Sequence, residues 1–440
     1  MRLTHLMFAD DLLLFCKGDV QSIMVLLRTF TTFSYASGLK LSKGKSNVYF
    51  NGVKEEIKGD ILQISGCVEG HLPFKYLGVP IKTTRLNTQD YAPIIEKIMH
   101  KIRGLGTRKL SYAGRLVLIR LVLKTYHNYW STMFILPSGV IARIEAICRN
   151  FLWDGGIEYT RTPLVAWDKI CKPKSEGGLG LKDDSVWNKA ALGKLAWWIS
   201  IKADHLWVKW VNHTYLKGQD WHAYKPTAET SWYWRKLCQV KEQLESTYQQ
   251  GKWQNIKGKE YTIARGYNEL RSTAPEVSWT NLVWNRMTIP KHSFISWLYH
   301  HEAMNTKIRL RRIGLPTDTT CYICGDGDED LNHLFFTCNY SREIISIIGI
   351  WLGIPLPRRG VIAWRILIPQ TPDRRDVINR AINAAIYVIW QQRNQCRHEA
   401  RLTRPQVVTT SIIADLKLWI RRSLTRRSKD EAWIRRLCER

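Results

Sequence analysis

Cys321-Tyr-Ile-Cys324-Gly-Asp-Gly-Asp-Glu-Asp-Leu-Asn-His333-Leu-Phe-Phe-Thr-Cys338 reads as C-x2-C-x8-H-x4-C. Two cysteines separated by two residues form a metal-binding knuckle, because the turn between them points both sulfurs inward. Gly325, Asp326, Gly327 and Asp328 are the turn-formers such a knuckle needs. A His and a Cys five positions apart lie about one helical turn from each other and can close a tetrahedron. Three thiolates and one imidazole suit structural Zn²⁺ and leave no position for a catalytic water. The ion would staple a small unit unable to bury enough apolar surface unaided, with Leu334, Phe335 and Phe336 packed beneath it. The donor set alone does not choose among DNA, RNA and protein as partner.

Around this module lies a chain of 440 residues, long enough for several domains. With 45% hydrophobic and 24% charged residues it has material for packed cores, which argues against wholesale disorder. Lys and Arg number 66 against 38 Asp and Glu, a net charge of +28 that must face solvent or a polyanion. Nucleic acid is the usual polyanion, since each phosphate contact releases condensed counterions. Twenty Trp stand out; beside cations they could stack bases, although filling cores between small helical units is their commoner use. Ten scattered Cys and no secretory signal at Met1 point to a reducing, intracellular setting. The longest apolar run, Ala381 to Trp390, is too short to span a bilayer and is followed by Arg393, so no membrane role is expected.

Residues 1–85 read as a small α/β piece. Leu3, Leu6 and Phe8 precede Ala9-Asp10-Asp11, and an apolar run follows, the pattern of a hairpin with carboxylates at its turn. Asp19 caps a helix bearing Ile23, Leu27 and Phe30 and ending at Gly38. A basic loop with Lys43 and Lys45 leads to another strand, and Phe74 to Ile81 form a strand pair bent at Gly78. Over 86–155 the period is helical: Ile94, Ile98 and Ile102, then Leu116, Ile119 and Leu123 after Ser111, then Ile141, Ile144, Ile147 and Phe151. Lys97, Lys101, Arg108, Lys109, Arg115, Arg120 and Lys124 are expected on its basic outer face. Gly177-Gly-Leu-Gly180 lacks the Gly-Lys-Ser/Thr ending of a phosphate loop and reads as a turn before a helix. A Trp-rich helical connector spans 156–255, a polar linker 256–278, the zinc module 279–365 and a basic helical tail 366–440.

Several of these blocks, in order, resemble the reverse transcriptase of plant non-LTR (LINE-type) retrotransposons. His5-Leu-Met-Phe-Ala-Asp-Asp11 is similar to the palm hairpin, Ser37 to Ser46 to the next palm motif, and Phe74-Lys-Tyr-Leu-Gly-Val-Pro80 to the primer-grip region. Leu110 to Leu116 and Cys148-Arg-Asn-Phe-Leu-Trp153 resemble the helical thumb and its continuation. The zinc pattern, with Ile289 to Phe294 upstream and Trp390-Gln-Gln-Arg-Asn394 downstream, resembles the reverse-transcriptase zinc-binding domain. The resemblance spans roughly residues 1 to 395.

The resemblance implies a mainly α fold: palm remnant, thumb-like unit, connector and zinc-stapled module. It makes Asp10 and Asp11 Mg²⁺ ligands of a two-metal nucleotidyl-transfer site. Lys43, Lys45, Lys75, Lys109 and Arg115 become candidate nucleic-acid contacts, with RNA or RNA–DNA hybrid as partner and a nuclear location. It also implies that the fingers and first palm half, with a further metal-binding Asp, would precede Met1. The expectation is therefore a truncated chain without polymerase activity of its own, and Mg²⁺ only where the site is completed. Two alternatives remain open: part of a working RNA-directed DNA polymerase completed by upstream sequence, and a zinc-dependent protein-interaction module.

Overall fold

Helix dominates, as the spacing of apolar positions requires; the few strands are short and paired in twos. The computed structural model describes residues 3–104, 110–158, 162–247, 261–285, 287–354, 371–423 and 430–440. Two compact units account for them. One comprises Met1–Ala92, Thr132–Pro137 and Lys189–Glu269; the other comprises Pro93–Ser131, Ser138–Asn188 and Leu270–Arg440.

In the first unit, His5–Phe8 pairs antiparallel with Asp11–Leu14, and Ala9-Asp10 forms the turn, Ala9 at φ 52°. Asp19 accepts from Ser22 N at 2.7 Å, and Gly38 closes helix Val20–Ser37 in the left-handed region, so both caps lie where the sequence puts them. That helix packs on Glu55–Ser65. A second hairpin, Phe74–Tyr76 with Val79–Ile81, turns through Leu77 and Gly78, both at positive φ. The Trp-rich stretch builds core. Trp234 stacks on Tyr215 at 4.4 Å and donates from its indole to the Tyr224 hydroxyl at 3.2 Å. Lys241, 3% exposed, donates to the carbonyls of Trp221, His222 and Tyr224. The stretch read as a linker carries helix Ile263–Leu270, beside which the buried Tyr261 donates to Ala190 O at 2.7 Å; residues 248–260 lie outside the described residues.

In the second unit, Ile98 and Ile102 of helix Ala92–Gly104, Leu116, Ile119 and Leu123, and Ile144, Ile147 and Phe151 of helix Ser138–Asp154 are all buried. Ser111 caps Tyr112–Leu118, accepting from Gly114 N at 3.3 Å. A π-turn, Ile119–Leu123, then carries the chain into Thr125–Ser131. The expected basic outer face needs correction here. Lys97 and Lys101 are exposed, but Arg115 is 8% exposed and donates to Leu152 O at 3.3 Å. Lys124 is buried as well, 2.8 Å from Asp184, with His127 Nε2 at 3.2 Å from the same oxygen. Burial pushes the Asp184 carboxyl up, but Lys124 and His127 together hold it below the usual range. A helical period assigns a face only while the helix meets one neighbour. Here the loop before helix Asp184–Ser200 covers the cationic side too.

Gly177 to Gly180 form a turn, as read. Gly177 and Gly180 take positive φ, and a Cβ on Gly178 would sit 1.9 Å from Lys172 O. The turn receives the next layer: Trp297 Nε1 and His301 Nε2 lie 2.8 and 2.7 Å from Gly177 O. Helix Pro290–His300 packs on the long helix Pro372–Glu399, and Asn339–Leu352 on Pro405–Ser423. Among the described residues no helix is long and apolar enough to cross a membrane.

Candidate metal centre

The knuckle is shaped by its own backbone. Gly325 N donates to Cys321 O and Cys321 N to Gly327 O, both at 3.0 Å, with Gly325 and Gly327 at positive φ. Thr320 bridges Asp328 across its base. His333 begins a π-turn, His333–Thr337, and Cys338 N donates to His333 O at 2.8 Å. The five-residue spacing therefore closes on the wider π-turn, a form that recurs at functional sites. Asp330 Oδ1 accepts from His333 N at 2.6 Å and fixes the start of that turn.

The ligand atoms of Cys321, Cys324, His333 and Cys338 all lie within 4.8 Å of one another. A tetrahedral zinc with Zn–S of about 2.3 Å sets its sulfurs about 3.8 Å apart, so the donor set fits. His333 Nε2 lies 3.3 Å from Cys324 Sγ, while Nδ1 faces Thr337 Oγ1 at 3.5 Å, which assigns Nε2 to the metal. The hydrogen bond between Cys321 and Cys338, with burial, pushes the Cys321 thiol up; the same bond lowers Cys338. A dication held between these sulfurs would keep both as thiolates. With four protein donors the site holds structural Zn²⁺.

Beneath the knuckle lies a charge pair. Glu329, 0% exposed, accepts from Arg393 Nε at 3.0 Å and Nη2 at 2.7 Å. It also accepts from Lys307 N and from Tyr322 N, both at 3.1 Å; Tyr322 stands between the two knuckle cysteines. Arg393 Nη2 donates further to Asn305 O at 2.9 Å. Its guanidinium lies 4.9 Å from the ring centroids of Tyr322 and Trp390. One buried carboxylate thus ties the knuckle backbone to the long helix Pro372–Glu399. Sequence reading missed this pair. Glu329 sits in an acidic turn that looks solvated, and its partner is 64 residues away.

The remaining candidates behave differently. Asp10 lies in the hairpin turn and Asp11 at the start of the next strand, both exposed. Among the described residues no third acidic, His or Cys group joins them in a cluster able to hold a metal. Lys43 and Lys45 are exposed in a turn, and Lys75 is exposed on its hairpin strand. Arg108 and Lys109 lie outside the described residues. Arg115 is directed inward, as described above.

This geometry meets two comparisons. Residues 261–344 match the model of a protein family described as zinc-binding in reverse transcriptase, a span that contains all four ligands. The chain is also similar to an Arabidopsis thaliana protein named as a ribonuclease H protein, 30% identical over 162 residues. That match covers 36% of this chain and 26% of the relative, so the chain spans about a quarter of its length. The similarity is thus to retrotransposon-type proteins and carries their zinc-binding element.

Proposed function

We propose that this chain is a retrotransposon-derived, LINE-type reverse-transcriptase protein that binds RNA or RNA–DNA hybrid through its helical and zinc-bearing parts. It does not polymerise nucleotides by itself. The observation that carries the reading is the Cys321, Cys324, His333 and Cys338 cluster inside a segment matching the zinc-binding element of reverse transcriptases. The net charge of +28 supports a polyanionic partner. Exposed Lys43, Lys45 and Lys75 are available to phosphates, and Lys109 remains a candidate contact. Asp10 and Asp11 would be Mg²⁺ ligands only in a site completed by further carboxylates, because two-metal transfer needs both ions clamped. A nuclear location is part of the same proposal.

The test is primer extension on an RNA template with Mg²⁺, run beside zinc analysis and RNA binding at several salt concentrations. The expected result is one zinc per chain, binding whose log affinity falls linearly with log salt, and no extension. Extension abolished by Asp10→Asn would establish a working polymerase instead. Salt-independent binding, or none, would end the nucleic-acid reading and favour a protein partner.

A further inference from the structure

A cleft of about 500 Å³ opens in the second unit between helices Tyr112–Leu118, Pro290–His300 and Pro372–Glu399. That volume lies within the roughly 300–1,000 Å³ typical of small-molecule sites. Its lining combines aromatic rings (Tyr112, Trp153, Phe294, Tyr387, Trp390) with the amide side chains of Gln391, Asn394 and Gln395. Arg115 and Lys291 are matched by Asp154 and Glu399, so the cleft has no excess of positive charge and suits a polar, neutral ring more than a bare phosphate. Trp153 is 4% exposed, and its indole N–H has no acceptor among the described residues. Half-buried Trp390 carries the Arg393 guanidinium over one face, and Lys291 Nζ lies 5.0 Å from the Tyr387 ring at the exposed rim.

We propose that this cleft takes one unpaired nucleotide of a single-stranded nucleic acid. The base lies against Trp390 and Tyr387, the amides of Gln391, Asn394 and Gln395 read its edge, and Lys291 meets its phosphate. Flat rings accept any base by stacking, and amides pair with the donors and acceptors that only an unpaired base exposes. The same geometry gives zinc a part in the site. Arg393 is fixed between Tyr322 of the knuckle and Trp390 of the cleft, so the ion orders the stacking platform without touching the ligand. The inference rests on the nucleic-acid reading above and gives it a place and a strand preference.

The experiment compares the full zinc-loaded chain with Trp390→Ala and with the exposed-side-chain double variant Lys291→Ala/Gln391→Ala. Probes are a short labelled single-stranded RNA, the RNA–DNA hybrid of the same sequence, and the free mononucleotide as competitor. Trp390→Ala should weaken single-strand binding about tenfold while changing hybrid binding less than about twofold. The double variant should move the same way with zinc content unchanged, which separates loss of contact from loss of fold. Thiouridine in the RNA should crosslink to the peptide containing Tyr387 and Trp390. Unchanged single-strand affinity with crosslinks elsewhere would overturn the cleft while leaving the broader function intact. Competition by the mononucleotide as strong as by the oligonucleotide would make the ligand a free nucleotide and overturn the strand-binding claim. No binding of RNA by the parent chain would overturn both readings.

Discussion

Glu329 and Arg393 show how much a single pair can decide. Each is essentially inaccessible, at 0% and 1% side-chain exposure, and each would carry an uncompensated charge without the other. Two buried charges together are tolerated; one alone costs about 3–5 kcal/mol. Glu329→Gln and Arg393→Met should each destabilise the second unit by about that much. The double replacement should cost distinctly less than the sum, because no orphan charge remains. Chemical denaturation of all four proteins, zinc-loaded throughout, provides the cycle. Additive losses would mean that the pair is not coupled and that the knuckle is held by zinc alone. The cysteines divide along similar lines. Burial pushes the Cys148 and Cys171 thiols up to about 12, the mark of inert core residues, whereas the three at the knuckle face one another around an ion site.

Among elements, the turn from Pro173 to Gly180 illustrates what a sequence conveys and what it withholds. The absence of a Gly-Lys-Ser ending correctly excluded a phosphate loop. The caps at Asp19, Gly38 and Ser111 were equally legible, since capping is a local exchange of hydrogen bonds within a few residues. The zinc ligands were legible for the same reason: their spacing encodes their geometry. Arg115 and Lys124 were misplaced because their partners, Leu152 O and Asp184, lie 37 and 60 residues away and no local pattern marks them. The turn's own role was hidden too, as Gly177 O serves Trp297 and His301 from a distant helix. Gly178→Ala tests that role. Its Cβ would fall 1.9 Å from Lys172 O, a backbone atom that cannot swing aside, so the turn must open. A loss of about 2–4 kcal/mol is expected, in the range of strained backbone plus broken buried hydrogen bonds. Gly156→Ala, whose nearest neighbour would be a side-chain atom 3.7 Å away, is the control and should change little. Equal stability of the two variants would show that the turn is not the anchor of the helix Pro290–His300.

Across the whole molecule the cations are not simply displayed to solvent. Lys124, Lys241, Lys307, Arg380 and Arg393 are all buried, where they serve as hydrogen-bond donors inside the fold. Asp184, Glu329, Asp376 and Asp430 are buried too, so among the described residues burial removes little of the net charge. Interior histidines add a pH dependence of the opposite kind. Burial, with Lys291 and Arg380 nearby, lowers His292 to about 3; burial and His301 lower His300 to about 4. His301 is lowered as well, chiefly by burial. The unfolded chain takes up these protons near pH 6.5, before the folded chain can. Their stabilising effect is thus complete above about pH 6.5 and is lost as the pH falls towards 4 and 3, at up to about 1.4 kcal/mol per pH unit for each histidine. Acid also protonates the zinc ligands and would release the ion over an overlapping range, so the parent's acid limb alone does not separate the two causes. His292→Phe in the zinc-loaded protein does: Phe preserves the ring packed at 4.4 Å on Tyr387 and removes the titration. Unfolding free energy measured between pH 7 and 5, with zinc content followed at each point, should decline less steeply in the variant than in the parent. Parallel slopes would show that zinc release, rather than the buried imidazole, sets the acid sensitivity of the fold.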